Sequence, residues 1–300
     1  MLPFYILFYT RLWWTMILYF CWTYYDFDKP RRGSRCWNWY KNHSIWTHFA
    51  DYFPLKIIKT TDLPPDRNYI IGSHPHGVFS IGAFTAMITS GSGFPKMFPG
   101  LKSTLLTLNG QFWFPFRRDI GIALGGVESS RQSLEYLLKN PGKGRAICIV
   151  LGGATEALDA YPGNHSANLS SRRGFCRYAL KYGADLVPMY SFGENDVYDQ
   201  RISVPDSHIR DIQLWIKRKI GFCPPLMYGR GIFNHKFGML PYRRPITTVV
   251  GAPIRTHRVQ NPTEQEINAL HAKYCKGLIE LFESYKCLHN IPQDVHLIIY

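Results

Sequence analysis

Two short apolar runs in this chain each stop at glycine and pass at once into a polar turn. This pattern constrains the fold more than any other feature. Tyr69-Ile70-Ile71 runs into Gly72-Ser73-His74-Pro75-His76-Gly77. Arg145 to Leu151 (Arg-Ala-Ile-Cys-Ile-Val-Leu) runs into Gly152-Gly153-Ala154-Thr155-Glu156. Short continuous apolar runs bounded by turn residues read as buried strands. Asp185 to Ser191 and Ile246 to Val250 read the same way. Helical patterns alternate with them. Ser129-Ser130 opens a helix carrying Leu134, Leu137 and Leu138, which stops at Asn140-Pro141-Gly142. Ser171 opens another with Phe175, Ala179 and Leu180, ending at Gly183. Val78 to Met87 is a helix or a second buried segment. His208 to Ile220 is amphipathic, and Thr263 with Glu266 forms a capping box before a long terminal helix. Strands alternating with helices predict an α/β domain whose central sheet is mixed or largely parallel and flanked by helices.

Strand ends in such sheets are where ligands bind, so the two polar turns are the candidate site. Imidazole is the side chain suited to taking a proton near neutral pH. His74 and His76 are the candidate bases, with Pro75 fixing the turn and Gly77 relaxing it. Two plainer readings stay open: turn histidines bonded to backbone, and a metal chelate. No Cys-x-x-Cys, His-Glu-x-x-His or second His-x-His accompanies them, so no metal is expected. If the two strands are parallel, Glu156 shares an edge with both histidines. It can then orient a ring or stabilise its charged form. A solvated loop carboxylate is the alternative. Glycines such as Gly152 and Gly153 let a ligand approach the backbone closely, and N–H groups near Gly77 or Gly153 are candidate oxyanion donors. Arg172 and Arg173 precede a helix and suit an anion, with a solvated basic turn as the alternative. No Gly-x-Gly-x-x-Gly or Walker-type loop points to a nucleotide cofactor.

The chain has 300 residues, 46% hydrophobic and 15% aromatic, which excludes a disordered polymer. Its net charge of +14 suits an anionic partner. The basic residues are scattered in pairs such as Arg117-Arg118 and Arg243-Arg244, which argues against a nucleic-acid arm. Seven cysteines without close pairs predict a reduced, cytosol-facing protein, with Cys148 packed as a small hydrophobe. Leu2 to Tyr25 is apolar or aromatic apart from Arg11. As one helix, its about 24 residues would cover about 36 Å, enough for a hydrocarbon core of about 30 Å. Arg11 near mid-span would cost about 2.5–3.5 kcal/mol. An interfacial or re-entrant placement relieves that cost. Lys29, Arg31, Arg32 and Arg35 follow, keeping the remainder cytosolic by the positive-inside tendency. The expected division is a membrane-embedded or interfacial segment, 1–35, and a catalytic domain, 36–300.

Several further motifs occur in a fixed order with these: Tyr52-Phe53-Pro54, His74-Pro75-His76-Gly77, Phe98-Pro99-Gly100, Gly152-Gly153-x-x-Glu156 and Arg173-Gly174-Phe175. Gly183-Ala184-Asp185-Leu186-Val187-Pro188, Ser191-Phe192-Gly193-Glu194-Asn195 and Pro245 to Gly251 complete the set. Over roughly residues 12 to 290 the chain resembles the diacylglycerol acyltransferase type 2 family, which includes monoacylglycerol and wax-alcohol acyltransferases. The resemblance implies transfer of a fatty acyl group from acyl-CoA, as co-substrate without further cofactor, to a lipid hydroxyl. It implies a glycerol-phosphate-acyltransferase-like fold and residence in the endoplasmic reticulum membrane with access to lipid droplets. Self-association is compatible with it. Two departures stand out: Arg11 interrupts the apolar run, and no aspartate follows the histidines at the gap used by distant kin.

The expected chemistry is therefore O-acyl transfer. His76, before His74, deprotonates the acceptor hydroxyl; Glu156 supports it; Arg172 and Arg173 attract CoA phosphates. Tyr52, Phe53, Pro54, Gly77, Gly152 and Gly153 complete the expected substrate contacts, with Tyr52-Phe53-Pro54 at the bilayer. The acceptor is a monoacylglycerol or diacylglycerol, with long-chain alcohol or retinol as alternatives. A catalytically idle membrane or lipid-droplet coat is the rival of another class, and has no need of the paired turns.

Overall fold

The computed structural model describes residues 2–140, 142–200, 207–221, 223–233 and 237–300. In chain order its principal elements are helices α1 (Leu2–Tyr9) and α2 (Trp13–Tyr25), strands β1 (Lys56–Lys59) and β2 (Tyr69–His74), then α3 (Ile81–Met87) and β3 (Lys102–Thr107). Next come α4 (Arg117–Ala123), β4 (Val127–Glu128), α5 (Arg131–Lys139), β5 (Arg145–Val150) and the single turn α6 (Gly153–Glu156). The remainder is α7 (Gly174–Tyr182), β6 (Asp185–Phe192), α8 (His208–Ile220), β7 (Thr247–Val250) and α9 (Glu264–Tyr285).

The strands form one seven-stranded sheet in the order β1-β7-β6-β2-β5-β3-β4. Neighbours are parallel except β7 with β6. This is the mixed, mostly parallel sheet that the alternation predicts. Side chains alternate across it. Ile70 packs with Leu134, Phe175, Ala179, Leu270 and Tyr274 from α5, α7 and α9. Tyr69 and Ile71 pack on the opposite face with Ala83, Ala86 and Met87 of α3. Both faces are covered, so β2 and β6 are buried along their whole length. At the far end of β6, buried Asp185 holds Arg67 through two bonds of 2.6 and 2.7 Å and Arg255 at 2.9 Å.

The helix boundaries follow local chemistry. Ser130 caps α5 by accepting from Ser133 N–H, Thr263 and Glu266 form the capping box of α9, and Gly183 ends α7 in the left-handed region. The helix expected from Ser171 starts later, at Gly174. Strands β1, β3 and β4 escape the sequence reading. Lys102-Ser103-Thr104 and Lys56 carry polar side chains, and β4 has only two residues. All seven cysteines are unpaired, and Cys148 is buried in β5.

The apolar N-terminus departs from the single-helix reading. It breaks at Thr10-Arg11-Leu12 into two helices in contact with each other. The Thr10 hydroxyl donates to Ile6 O at 2.8 Å and accepts from Leu12 N–H at 3.1 Å, which satisfies the backbone at the break. Arg11 is exposed there instead of lying mid-helix. Eight and thirteen residues give about 12 and 20 Å of helix, against about 30 Å of hydrocarbon. No helix among the described residues is long and apolar enough to cross a membrane. Residues 2–35 are tied to the sheet-bearing part of the chain. Tyr19 donates to Asp119 Oδ2, buried Arg118 binds Asp26, and Arg31 Nε reaches Glu128 at 2.9 Å.

Candidate active site

In the β2–β5 pair Ser73 lies beside Val150, so the two strands end level. The chain leaves β2 for β3 on one side and leaves β5 for β6 on the other. Their carboxyl ends therefore flank a topological switch point, the usual position of a ligand crevice. The turn with His76 follows β2, and the turn with Glu156 follows β5, on one edge of the sheet.

His76 Nδ1 lies 2.7 Å from Gly77 O. A carbonyl oxygen only accepts, so Nδ1 carries the ring proton and Nε2 keeps its basic lone pair. Burial pushes the His76 pKa below its ordinary value, and the bond to Gly77 opposes that shift without overcoming it. The imidazole is thus neutral at neutral pH. His76 lines a cavity of about 690 Å³ whose wall includes Phe84, Leu105, Leu108, Phe112, Ile120 and Leu124. Such a volume and lining suit a lipid-sized ligand.

Glu156 is buried, and its carboxylate reaches backbone. Oε1 accepts from the His76 N–H at 2.5 Å and Oε2 from the Asn168 N–H at 2.8 Å. Burial raises its pKa, and these two donors work against the rise. A side chain on Gly152 would collide with this carboxylate, which explains the first glycine of the pair. Gly153 lines the cavity, and a Cβ built on it would lie 3.6 Å from Arg172 Nη2.

The two histidines part company. His74 is fully buried in β2 and is absent from the cavity lining. The Tyr274 hydroxyl donates to Gly72 O at 3.1 Å, which leaves His74 Nε2–H to donate to the hydroxyl oxygen at 3.1 Å. His74 Nδ1 has no hydrogen-bond partner among the described residues. Burial lowers the His74 pKa to about 3. Of the other expected residues, Tyr52 donates to Pro241 O at 2.6 Å and accepts from Arg230 Nε at 2.7 Å. Phe53 is buried with Val78, Ile81 and Ile246. Neither Tyr52, Phe53 nor Pro54 lines the cavity, although Phe49 one helical turn earlier does. Exposed Arg173 donates to Asn268 Oδ1 at 2.9 Å. No group of three or more His, Cys, Asp or Glu suited to a metal ion occurs among the described residues.

Glu194 is a residue to which the sequence reading gave no role. It is buried directly behind the His76 turn, accepting from Ile81 N–H at 2.6 Å and Gly82 N–H at 2.7 Å. Gly77 has φ +62°, and a Cβ there would lie 2.6 Å from Glu194 Cγ, so this turn accepts only glycine. The available signal was a carboxylate placed immediately after a buried strand and Gly193.

The family model for diacylglycerol acyltransferase matches residues 5–300. The chain is 43% identical over 294 residues to 2-acylglycerol O-acyltransferase 3 of Homo sapiens, covering 98% of this chain and 86% of that one. It is 44% identical over 295 residues to diacylglycerol O-acyltransferase 2 of Danio rerio, covering 98% and 82%. Against diacylglycerol O-acyltransferase 2 of Homo sapiens the identity is 42% over 288 residues, covering 96% and 74%. No solved structure matches the chain. With a family match over nearly its whole length, beginning before the histidine turn and ending at the last residue, the chain belongs to the diacylglycerol acyltransferase family.

Proposed function

We propose that His76 is the general base of an enzyme that transfers an acyl group to the hydroxyl of a monoacylglycerol or diacylglycerol. The observation that carries this role is the bond from Nδ1–H to Gly77 O, which leaves Nε2 unprotonated on a residue lining an apolar cavity. The acceptor hydroxyl gives its proton to Nε2 as its oxygen bonds to the thioester carbonyl carbon of acyl-CoA. The C–S bond then breaks, and the imidazolium returns the proton to the departing thiolate. Glu156 fixes the His76 backbone and so acts as a positioning residue. The acyl chain occupies the cavity beside Leu105, Leu108 and Phe112. Arg172, beside Gly153, meets the CoA phosphates.

The N-terminal helices support a site at a lipid surface. Phe8, Tyr9, Trp13, Trp14 and Leu18 are exposed, a composition suited to the membrane interface. The basic flank from Lys29 to Arg35 supports a catalytic part on the cytosolic side of the endoplasmic reticulum membrane, with lipid droplets as a second location. Incubation of membranes bearing the full chain with labelled oleoyl-CoA and a panel of acceptors tests the reading. Label should appear in diacylglycerol or triacylglycerol. Transfer to long-chain alcohol or retinol alone would replace the acceptor, and no transfer to any hydroxyl would remove the reading.

A further inference from the structure

Helix α8 is amphipathic with its polarity reversed. A surface helix of a water-soluble domain turns its apolar stripe to the core. Here Ile209, Ile212 and Trp215, at three-residue spacing on one side, are 47%, 58% and 54% exposed. The side packed on the protein is polar. Arg210 Nη2 binds Asp159 Oδ1 at 3.1 Å, Gln213 Nε2 donates to Pro224 O at 2.8 Å, and Lys217 Nζ donates to Thr155 Oγ1. The helix is amphipathic as the sequence predicts, and Ile209, Ile212 and Trp215 of its apolar stripe face away from the core, while Ile216 is half-buried and the Ile220 side chain lies outside the described residues.

Three further observations identify what covers that stripe. The last turn carries exposed Arg218 and Lys219, and Lys219 stands at the end of the apolar stripe. Apolar side chains bordered by cations match an anionic lipid surface. Thirteen residues give about 20 Å of helix, too short for a bilayer of about 30 Å but ample for lying in its interface. Finally, Cys223, just beyond the helix, lines the same cavity as His76.

We propose that α8 lies in the headgroup layer of an anionic bilayer with Ile209, Ile212 and Trp215 in the acyl boundary. This is a lipid contact separate from the N-terminal helices. Its inner face grips Thr155 and Asp159, on either side of Glu156, so docking also seats the turn that holds the His76 backbone.

The test uses the full chain in phosphatidylcholine vesicles with and without phosphatidylserine. A photoreactive benzoylphenylalanine replaces Ile212 in one sample and Ile279, on α9, in a control. Lipid adducts should form at 212, increase with phosphatidylserine, and be absent at 279. No adduct at 212, equal adducts at both positions, or an adduct at 212 to a second copy of the chain would overturn the proposal. This arm needs no turnover, so it stands even for a chain that transfers no acyl group. In the second arm, Ile212→Ser with Trp215→Ser should raise the apparent KM for vesicle-borne diacylglycerol at least about tenfold, since losing even one buried apolar side chain is worth that much. Its melting midpoint should stay at the wild-type value. An unchanged KM would overturn the proposal, and a lowered midpoint returns the decision to crosslinking.

Discussion

Glu156 binds His76 through the backbone: Oε1 accepts the His76 N–H at 2.5 Å, while Oε2 accepts the Asn168 N–H at 2.8 Å. Both carboxylate oxygens are thereby occupied by donors. The residue ties the turn after β2 to the loop after α6, and the ring of His76 takes its orientation from Gly77 O instead.

A glutamine at 156 would not reproduce this arrangement. It has one acceptor oxygen, and its amide NH2 would face one of the two N–H groups. Glu156→Gln should therefore cost about 1–3 kcal/mol of stability. Turnover should fall with the disturbed turn, while the KM for acyl-CoA stays near wild type. Thermal melts and steady-state kinetics check this together. A variant with wild-type melting and turnover would show that the two backbone bonds are dispensable.

His76→Ala removes the base without removing a core contact. Turnover should drop by at least about 100-fold, the usual scale of general-base loss. The melting midpoint should remain unchanged. In the wild-type enzyme, burial holds the His76 pKa below its ordinary value of about 6.5, so the acid limb of kcat/KM should lie below that pH. An acid limb above 6.5 would assign the profile to another group.

Strands β2, β5, β6 and β7 were legible, and β1, β3 and β4 were not, because only buried strands of several residues and capped helices advertise themselves locally. Tyr69-Ile70-Ile71, the Thr263–Glu266 pair and Gly183 need no distant partner to be read. The shared edge of His76 and Glu156 followed from parallel pairing alone. Which histidine meets the cavity did not follow, because Tyr274 lies 200 residues from His74 and nothing near His74 signals it. The same holds for the break at Thr10, where a side chain bonds its own backbone, and for Glu194, whose donors sit 112 and 113 residues away. Long-range polar pairing leaves no periodic trace in a sequence.

His74→Ala should behave as a core mutation. It deletes a fully buried ring and strips the Tyr274 hydroxyl of a partner, at a cost of about 2–4 kcal/mol. Urea unfolding should show the loss, and residual turnover should track the folded fraction. A stable His74→Ala enzyme without activity would instead give His74 a direct part in the chemistry.

Glu194 gives a pH-dependent stability of definite sign. Burial raises its carboxyl to about 7, against the N–H bonds from Gly82 and Ile81. Between about 4.5, where the unfolded group titrates, and about 7, the folded protein holds a proton that the unfolded chain has released. Stability from this group is complete below that window and is lost as pH rises through it. His74 and His76 act in the opposite direction, because their folded pKa values are lowered and their stabilisation is lost as pH falls below about 6.5. Comparison with Glu194→Gln cancels the histidines, since both proteins contain them. Urea midpoints measured from pH 5 to 8 should show wild type losing ground to the variant up to pH 7, then running parallel. A difference independent of pH would mean that Glu194 stays ionised behind the His76 turn throughout, held by its two backbone donors.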